Sequence, residues 1–361
     1  MKRIKLFDPI VGKNEENAIK KILYNHNWAS GAGGEYVNKF EKNFSNFLGV
    51  DECIAVNSGT AALHLALSLY DIKDKEVILP SLSFVSTAHA IIYNGGIPRF
   101  ADVDPHTLCI DPQEISKLIT KKTRMIIPVH FAGMPCDLQK ISKLGKKFGI
   151  SIVEDAAHAA GAKFKGKRIG SHGDCACFSF HPVKNLAMPS GGAITINSKN
   201  EKKFSKIIKS RRWVGITGRK GSTYDVSNLG WNYYMNEFSA AIGIEQLKKL
   251  DETNLQRKKT AKRYAAELKI NKKMPINENC SYHFYWIQVN NRKKFMDKME
   301  ENNIETGIHY LPIHKMSFYN SKVKLPITEQ SSKKIVSLPT HPNLTDEQVS
   351  RIIKLANRFA K

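Results

Sequence analysis

The sequence predicts an α/β protein: a mostly parallel sheet sandwiched by helices, with a smaller C-terminal α+β domain. Three observations lead there. Short apolar runs alternate with segments of helical periodicity through the first 200 residues. Such strand–helix alternation builds a parallel sheet covered on both faces. Beyond a long helical pattern at about 236–269 the alternation stops, and a strand flanked by helices follows. The division falls at about residue 250, giving a large domain, 1–250, and a small one, 251–361.

In chain order, 14–25 reads as a helix, and so does 36–48, where Val37, Phe40, Phe44 and Phe47 recur at helical spacing. Residues 53–56 form a short strand that ends at Asn57-Ser58-Gly59-Thr60, and a helix follows to about Tyr70. Further strands are expected at 76–80, 99–103, 125–130, 151–155, 175–180 and 192–196, with helices through Ala88 and Tyr93 and at 138–148. One helix is expected to run unbroken over 236–269, carrying Ala240, Ile244, Leu247 and Leu250. The small domain has a strand at 283–289 and helices at 292–302 and 345–360.

Composition bounds the function. Of 361 residues, 42% are hydrophobic and 25% charged, which excludes a disordered or collagen-like chain. No apolar run reaches the roughly 18 residues of a membrane span. The N-terminus carries charge but no apolar core, so no secretory signal is expected and the cytoplasm is the expected compartment. The 56 basic and 33 acidic side chains leave a formal charge of +23. The lysines are scattered in pairs such as Lys20-Lys21 and Lys258-Lys259, with no basic tail, so they read as solvated helix faces rather than a nucleic-acid surface. The six cysteines lack CxxC spacing, which speaks against both zinc and a disulfide framework. His130, His172, His181 and His314 are scattered, and none is assigned to a metal. Asp102 and Asp104 could pair as catalytic carboxylates, but an Asp-Pro turn explains Asp104 better.

Three features carry chemistry. Gly59 and Thr60 sit where a strand enters a helix; free N–H groups, the helix dipole and hydroxyls suit an anion there, although a simple N-cap would use the same residues. Neither GxGxxG nor GxxxxGK[ST] is present at this turn. Asp155 ends an apolar strand, where a carboxylate needs a cation or donors; capping the next turn is the alternative. Lys184 follows another strand among aromatics, Pro182, Ala187-Met188 and a glycine pair, a setting that desolvates an amine and makes it nucleophilic. A phosphate cradle, an acid and a lysine on successive strand ends are the parts that pyridoxal phosphate chemistry needs.

On these residues the chain resembles the sugar aminotransferases of the DegT/DnrJ/EryC1/StrS family, fold-type I pyridoxal phosphate enzymes. The matching segments are 27–31, 57–67, 80–87, 153–162, 178–192, 230–237, 307–310 and 337–339, in family order. The resemblance implies that Lys184 carries the cofactor covalently and that Asp155 partners its pyridine nitrogen. It places His158 by the phenolic oxygen and Phe84 against the ring. Gly59, Thr60 and Ser179 become phosphate binders of one subunit, Asn232 a phosphate ligand from the neighbouring subunit, and His309 and Tyr310 a loop near the substrate. The implied reaction moves an amino group from glutamate or glutamine to a nucleotide-linked keto-sugar, for polysaccharide or glycoconjugate synthesis. Trp231, Tyr233, Tyr234 and Met235 beside Asn232 suit an interface core, so an obligate C₂ homodimer with two shared sites is expected.

Two departures stand out. Leu186–Pro189 and Ser190 replace a common Thr-Thr-Gly-Glu run before Gly191-Gly192, and Tyr234 replaces a frequent arginine. Three other readings stay open at this point. Family members with histidine in place of the lysine are dehydratases, whereas Lys184 favours transamination. A non-catalytic regulator would need a DNA-reading helix pair, and a nicotinamide-dependent oxidoreductase or epimerase would need the glycine fingerprint.

Overall fold

A computed structural model describes residues 3–360. Its centre is a seven-stranded sheet. β1 (Glu52–Val56), β2 (Glu76–Pro80), β3 (Ile97–Ala101), β4 (Thr123–Ile126) and β5 (Ser151–Asp155) enter it in turn. After the small hairpin β6 (Lys163–Phe164) and β7 (Lys167–Arg168) come β8 (Cys175–Ser179) and β9 (Gly192–Ile196). The spatial order is β1-β9-β8-β5-β4-β2-β3. Every neighbouring pair is parallel except those made by β9, which runs against both β1 and β8. The sheet is therefore mostly parallel, as expected, with one reversed strand. That reversal brings Gly192, at the start of β9, opposite Val56 and Ser179, the last residues of β1 and β8.

Helices cover both faces. α1 (Lys13–Asn25) and α2 (Glu35–Leu48) precede the sheet, and α3 (Gly59–Leu67), α4 (Ser86–Tyr93), α5 (Pro112–Leu118) and α6 (Leu138–Phe148) connect its strands. The aromatic stripe of α2 performs as its spacing implies: Val37, Phe40 and Phe44 are fully buried. Phe44 meets Phe178 and Phe180 edge-on at 5.1 and 5.3 Å. Phe47 lies at the margin of this cluster, under the Arg168 guanidinium at 3.7 Å. α2 ends at Gly49, whose φ of 72° is the left-handed C-cap that glycine adopts without strain.

α7 (Glu201–Arg211) leads to an exposed hairpin, β10 (Ile216–Lys220) and β11 (Thr223–Val226). The expected helix over 236–269 is instead two, α8 (Glu237–Lys248) and α9 (Leu250–Glu267). Lys249, at φ −106° and ψ 4°, leaves the helical region, and its amine is held by Glu15 and the Ile10 carbonyl. Asp251 and Glu252 then supply the negative charge that a new helix N-terminus favours. The last part contains β12 (Tyr285–Gln288), α10 (Arg292–Glu301), α11 (Pro326–Lys334), β13 (Ile335–Leu338) and α12 (Asp346–Phe359), with β12 and β13 paired antiparallel. Ile4, from the opposite end of the chain, bridges to Ile304.

Several boundaries differ from the sequence reading. β3 stops at Ala101 because Asp102 turns away to accept from Ile327 N, Thr328 N and Thr328 Oγ1, capping α11. Asp104 accepts from His106 N, Thr107 N and Thr107 Oγ1, the turn its proline suggested. α5, α7, α11, β13 and both hairpins were not foreseen. All six cysteines are buried and free. Many lysines pair with acids one helical turn away, as in Lys13–Glu16–Lys20 and Lys293–Asp297. No helix among the described residues is long and apolar enough to cross a membrane.

Candidate active site

Ligands bind at the carboxyl ends of parallel strands, and here the neighbours β5 and β8, and β1 across the start of the reversed β9, end around one cavity. Its volume is about 410 Å³, within the range of small-molecule sites. Nine of the ten residues singled out from the sequence line it: Gly59, Thr60, Phe84, Asp155, His158, Ser179, Lys184, His309 and Tyr310. The tenth, Asn232, does not. Its side chain is exposed, and its carbonyl accepts from Asn57 Nδ2 at 3.2 Å.

At one end of the cavity α3 begins. Ser58 caps it, its Oγ accepting from Ala61 N at 3.1 Å. The N–H groups of Gly59 and Thr60 have no partner within the helix and open on the cavity with the positive end of the dipole. Glycine is required at 59 for space: a Cβ there would lie 2.7 Å from the Ser179 Cβ.

Asp155 closes another wall. It is buried, and its oxygens accept from Thr87 Oγ1 at 2.7 Å and Ala157 N at 3.1 Å. Burial raises its pKa, opposed by Thr87, the Ala157 N–H and the Lys184 cation. Lys184 opens onto the same cavity, and enough protein surrounds its amine that desolvation lowers its pKa to about 8, with the Asp155 carboxylate opposing. A lysine so placed has a substantial neutral, nucleophilic fraction near pH 8.

His158 meets Tyr310 Oη through Nε2 at 3.0 Å, while its Nδ1 is buried without a partner. Burial first, then the Lys184 cation, pushes its pKa well below the usual histidine value, so the ring is neutral. His309 is likewise lowered, to about 3, and is held by Ser337 Oγ at 2.8 Å. Phe84 is 57% exposed at the mouth, 6.1 Å from the Tyr310 ring.

Sequence reasoning missed four neighbours of this site. Thr87, inside the matching 80–87 segment, was not recognised as the donor to Asp155. Phe7 reaches the cavity from the N-terminal segment and stacks on His283 at 5.1 Å, a contact for which no local pattern exists. Asn185 and His283 lie just behind the lining. Asn185 adjoins Lys184, which was the one available signal for it.

The residues fit pyridoxal phosphate. An anion cradle, a buried carboxylate and a desolvated amine face one space of suitable size, which the neutral His158 also lines. When bound, this cofactor supplies a ring that accepts electrons from the carbon losing its proton. Fold and site together define a fold-type I pyridoxal phosphate enzyme.

The comparisons with known proteins are narrower. The model of the DegT/DnrJ/EryC1/StrS aminotransferase family matches residues 9–356, and the chain belongs to that family. It is similar to the spore coat polysaccharide biosynthesis protein SpsC of Bacillus subtilis, 33% identical, with 98% of this chain and 96% of the relative covered. Among solved structures it is similar to Helicobacter pylori PseC, an aminotransferase involved in the biosynthesis of pseudoaminic acid, with a TM-score of 0.93, 26% identity and 99% of each chain covered. It is also similar to the aminotransferase TlmJ of Streptoalloteichus hindustanus, with a TM-score of 0.93, 28% identity, and 99% of this chain and 98% of the other covered. One further similar structure is solved in both pyridoxal phosphate and pyridoxamine phosphate forms. The enzyme is thus a pyridoxal phosphate-dependent aminotransferase.

Proposed function

We propose that this enzyme transfers an amino group from glutamate or glutamine to the keto carbon of a nucleotide-linked sugar, in the cytoplasm, as a step of polysaccharide or glycoconjugate synthesis. One observation carries the site assignment: the Lys184 amine, lowered to about 8, shares a cavity with the buried Asp155 carboxylate beneath a helix N-terminus. The names of SpsC and PseC support sugar metabolism as the setting.

Gly59, Thr60 and Ser179 would hold the cofactor phosphate, Phe84 would pack on its ring and His158 would contact its phenolic oxygen. Asp155, fixed by Thr87, would supply the negative charge that keeps the ring nitrogen protonated. Lys184 would be the residue that carries the cofactor, and its Nζ, when free, would take a proton from one carbon and return it to another. His309 and Tyr310 flank the sugar. The cofactor-binding domain comprises residues 1–250 and the small domain residues 251–361.

Asn232 is exposed and outside the cavity of its own chain, which suits a ligand donated to a partner's site in a C₂ homodimer. Of the side chains expected at that interface, Met235 is buried and Trp231 and Tyr233 pack inward on the core beside His64, so the exposed apolar surface near Asn232 in sequence is that of Tyr224, Val226 and Leu229. Mixing inactive Lys184→Ala with an inactive Asn232→Ala variant restores activity if one hybrid site regains both residues. Mixing without rescue, once subunit exchange is established, refutes the shared site.

The lysine is tested by borohydride reduction of the loaded enzyme and peptide mapping: the label falls on Lys184, and label on Lys163 or Lys167 sinks the assignment. The substrate is tested by incubation with a panel of nucleotide keto-sugars and either donor, reading product masses. Amination of free sugars alone refutes the nucleotide linkage.

A further inference from the structure

The side chain of the residue after Lys184 is tied down on every polar atom. Asn185 is buried, and its Nδ2 donates to Asn254 Oδ1 and to the Ser281 carbonyl, each at 2.8 Å. Its Oδ1 faces His283 Nδ1 at 3.2 Å. With both amide protons engaged, only the oxygen remains, so His283 carries its proton on Nδ1 and donates it. Asn254 donates onward to the Ala160 carbonyl at 2.9 Å. The neighbouring Gly161, at φ +85°, leaves no room for a Cβ beside Asn254 Nδ2.

The His283 ring is sandwiched. It stacks on Phe7 at 5.1 Å and 17°, and lies against His158 at 4.6 Å and 30°. One network therefore joins α9, the turn after β5, the lysine loop and the segment entering β12. Asn185, Asn254, Ser281 and His283 do not line the cavity, yet the network abuts Lys184 on one side and His158 on the other. A buried polar network makes the segments it joins rigid, and every side-chain polar atom of Asn185 is paired within it.

We infer that Asn185 and His283 are positioning residues: their hydrogen bond sets the spacing of Lys184 and His158 on which cofactor capture depends. This rests on Lys184 being the lysine that takes pyridoxal phosphate.

The test measures the rate at which full-length apo enzyme captures pyridoxal phosphate, by visible absorbance, with melting temperature recorded for every variant. His283→Phe keeps an aromatic ring against Phe7 and His158 but loses the Nδ1 donor. Asn185→Ala loses the acceptor together with both Nδ2 donations, so its effect is at least as large as that of His283→Phe. Each slows capture by about tenfold, the scale of one buried hydrogen bond left unpaired. The double variant is no slower than the worse single, because both remove the same contact. His283→Asn, whose amide nitrogen replaces Nδ1, returns to within about threefold of wild type. Wild-type rates in both single variants, equal slowing by His283→Phe and His283→Asn, or slowing that tracks melting temperature instead of the donor at 283, overturns the inference. Borohydride mapping of the wild type separates the two levels. Label away from Lys184 removes the premise, whereas label on Lys184 with unchanged variants removes only the positioning role.

Discussion

Replacing Asp155 by Asn removes one charge from the cavity and almost no shape. The Asp155 oxygens accept from Thr87 Oγ1 and Ala157 N. Asparagine keeps its oxygen on Ala157 N and turns Nδ2 toward Thr87 Oγ1. The threonine hydroxyl then accepts and donates instead to Ser83 Oγ, 2.9 Å away, or the Phe84 carbonyl, 3.1 Å away. Geometry survives and only the electrostatics change. Losing one preorganised partner in a buried site costs about 3 kcal/mol of barrier, roughly 10²-fold in rate. A second effect follows from the same charge. The carboxylate raises the Lys184 pKa against desolvation, so without it that pKa falls below its present value of about 8. The assay is single-turnover amino transfer from the donor amino acid to the loaded enzyme, followed by visible absorbance over a range of pH. The expected result is a loss of about 10²-fold in rate with cofactor still bound and, in capture of the cofactor by the apo enzyme, a lysine midpoint moved to lower pH. Near-wild-type turnover would reduce Asp155 to a turn cap and refute the reasoning.

Three further outcomes are expected. Capture of pyridoxal phosphate by the apo enzyme accelerates as pH rises through about 8, because only neutral Lys184 attacks; a rate independent of pH between 6 and 9 contradicts this. The His309 pKa is lowered to about 3 by burial, so the unfolded chain binds a proton near pH 6.5 that the folded chain refuses until about 3, and stability falls as pH drops through that window. Between pH 7 and 5 this one residue costs about 2 kcal/mol, checked by denaturant unfolding of wild type and His309→Asn. Arg212→Ala strips the cation from the buried Glu41, which pairs with Arg212 Nη1 at 2.5 Å, and lowers stability by about 3–5 kcal/mol; a melting temperature within two degrees of wild type would show Glu41 is satisfied without it.

What the sequence determined by itself was local. Apolar runs and helical spacing set the strands and helices, because burial on both sheet faces demands those residues wherever the strand ends up. Gly59, Asp155 and Lys184 were legible for a related reason. Each breaks the chemistry of its surroundings at a strand end, where parallel sheets place ligands. The direction of β9 was not legible, since an apolar run reads the same either way, and only pairing to β1 and β8 settled it. Nor was the break at Lys249, which is fixed by Glu15 and Ile10 more than 230 positions away. The site's supports came from tertiary structure alone. Phe7 and His283 stand 276 residues apart in sequence and stack face to face, and Thr87 reaches Asp155 across 68. Such contacts leave no periodicity in the chain. They exist because the closed core brings distant backbone within hydrogen-bonding or stacking distance, and a buried carboxylate or imidazole must find its partner wherever that core supplies one.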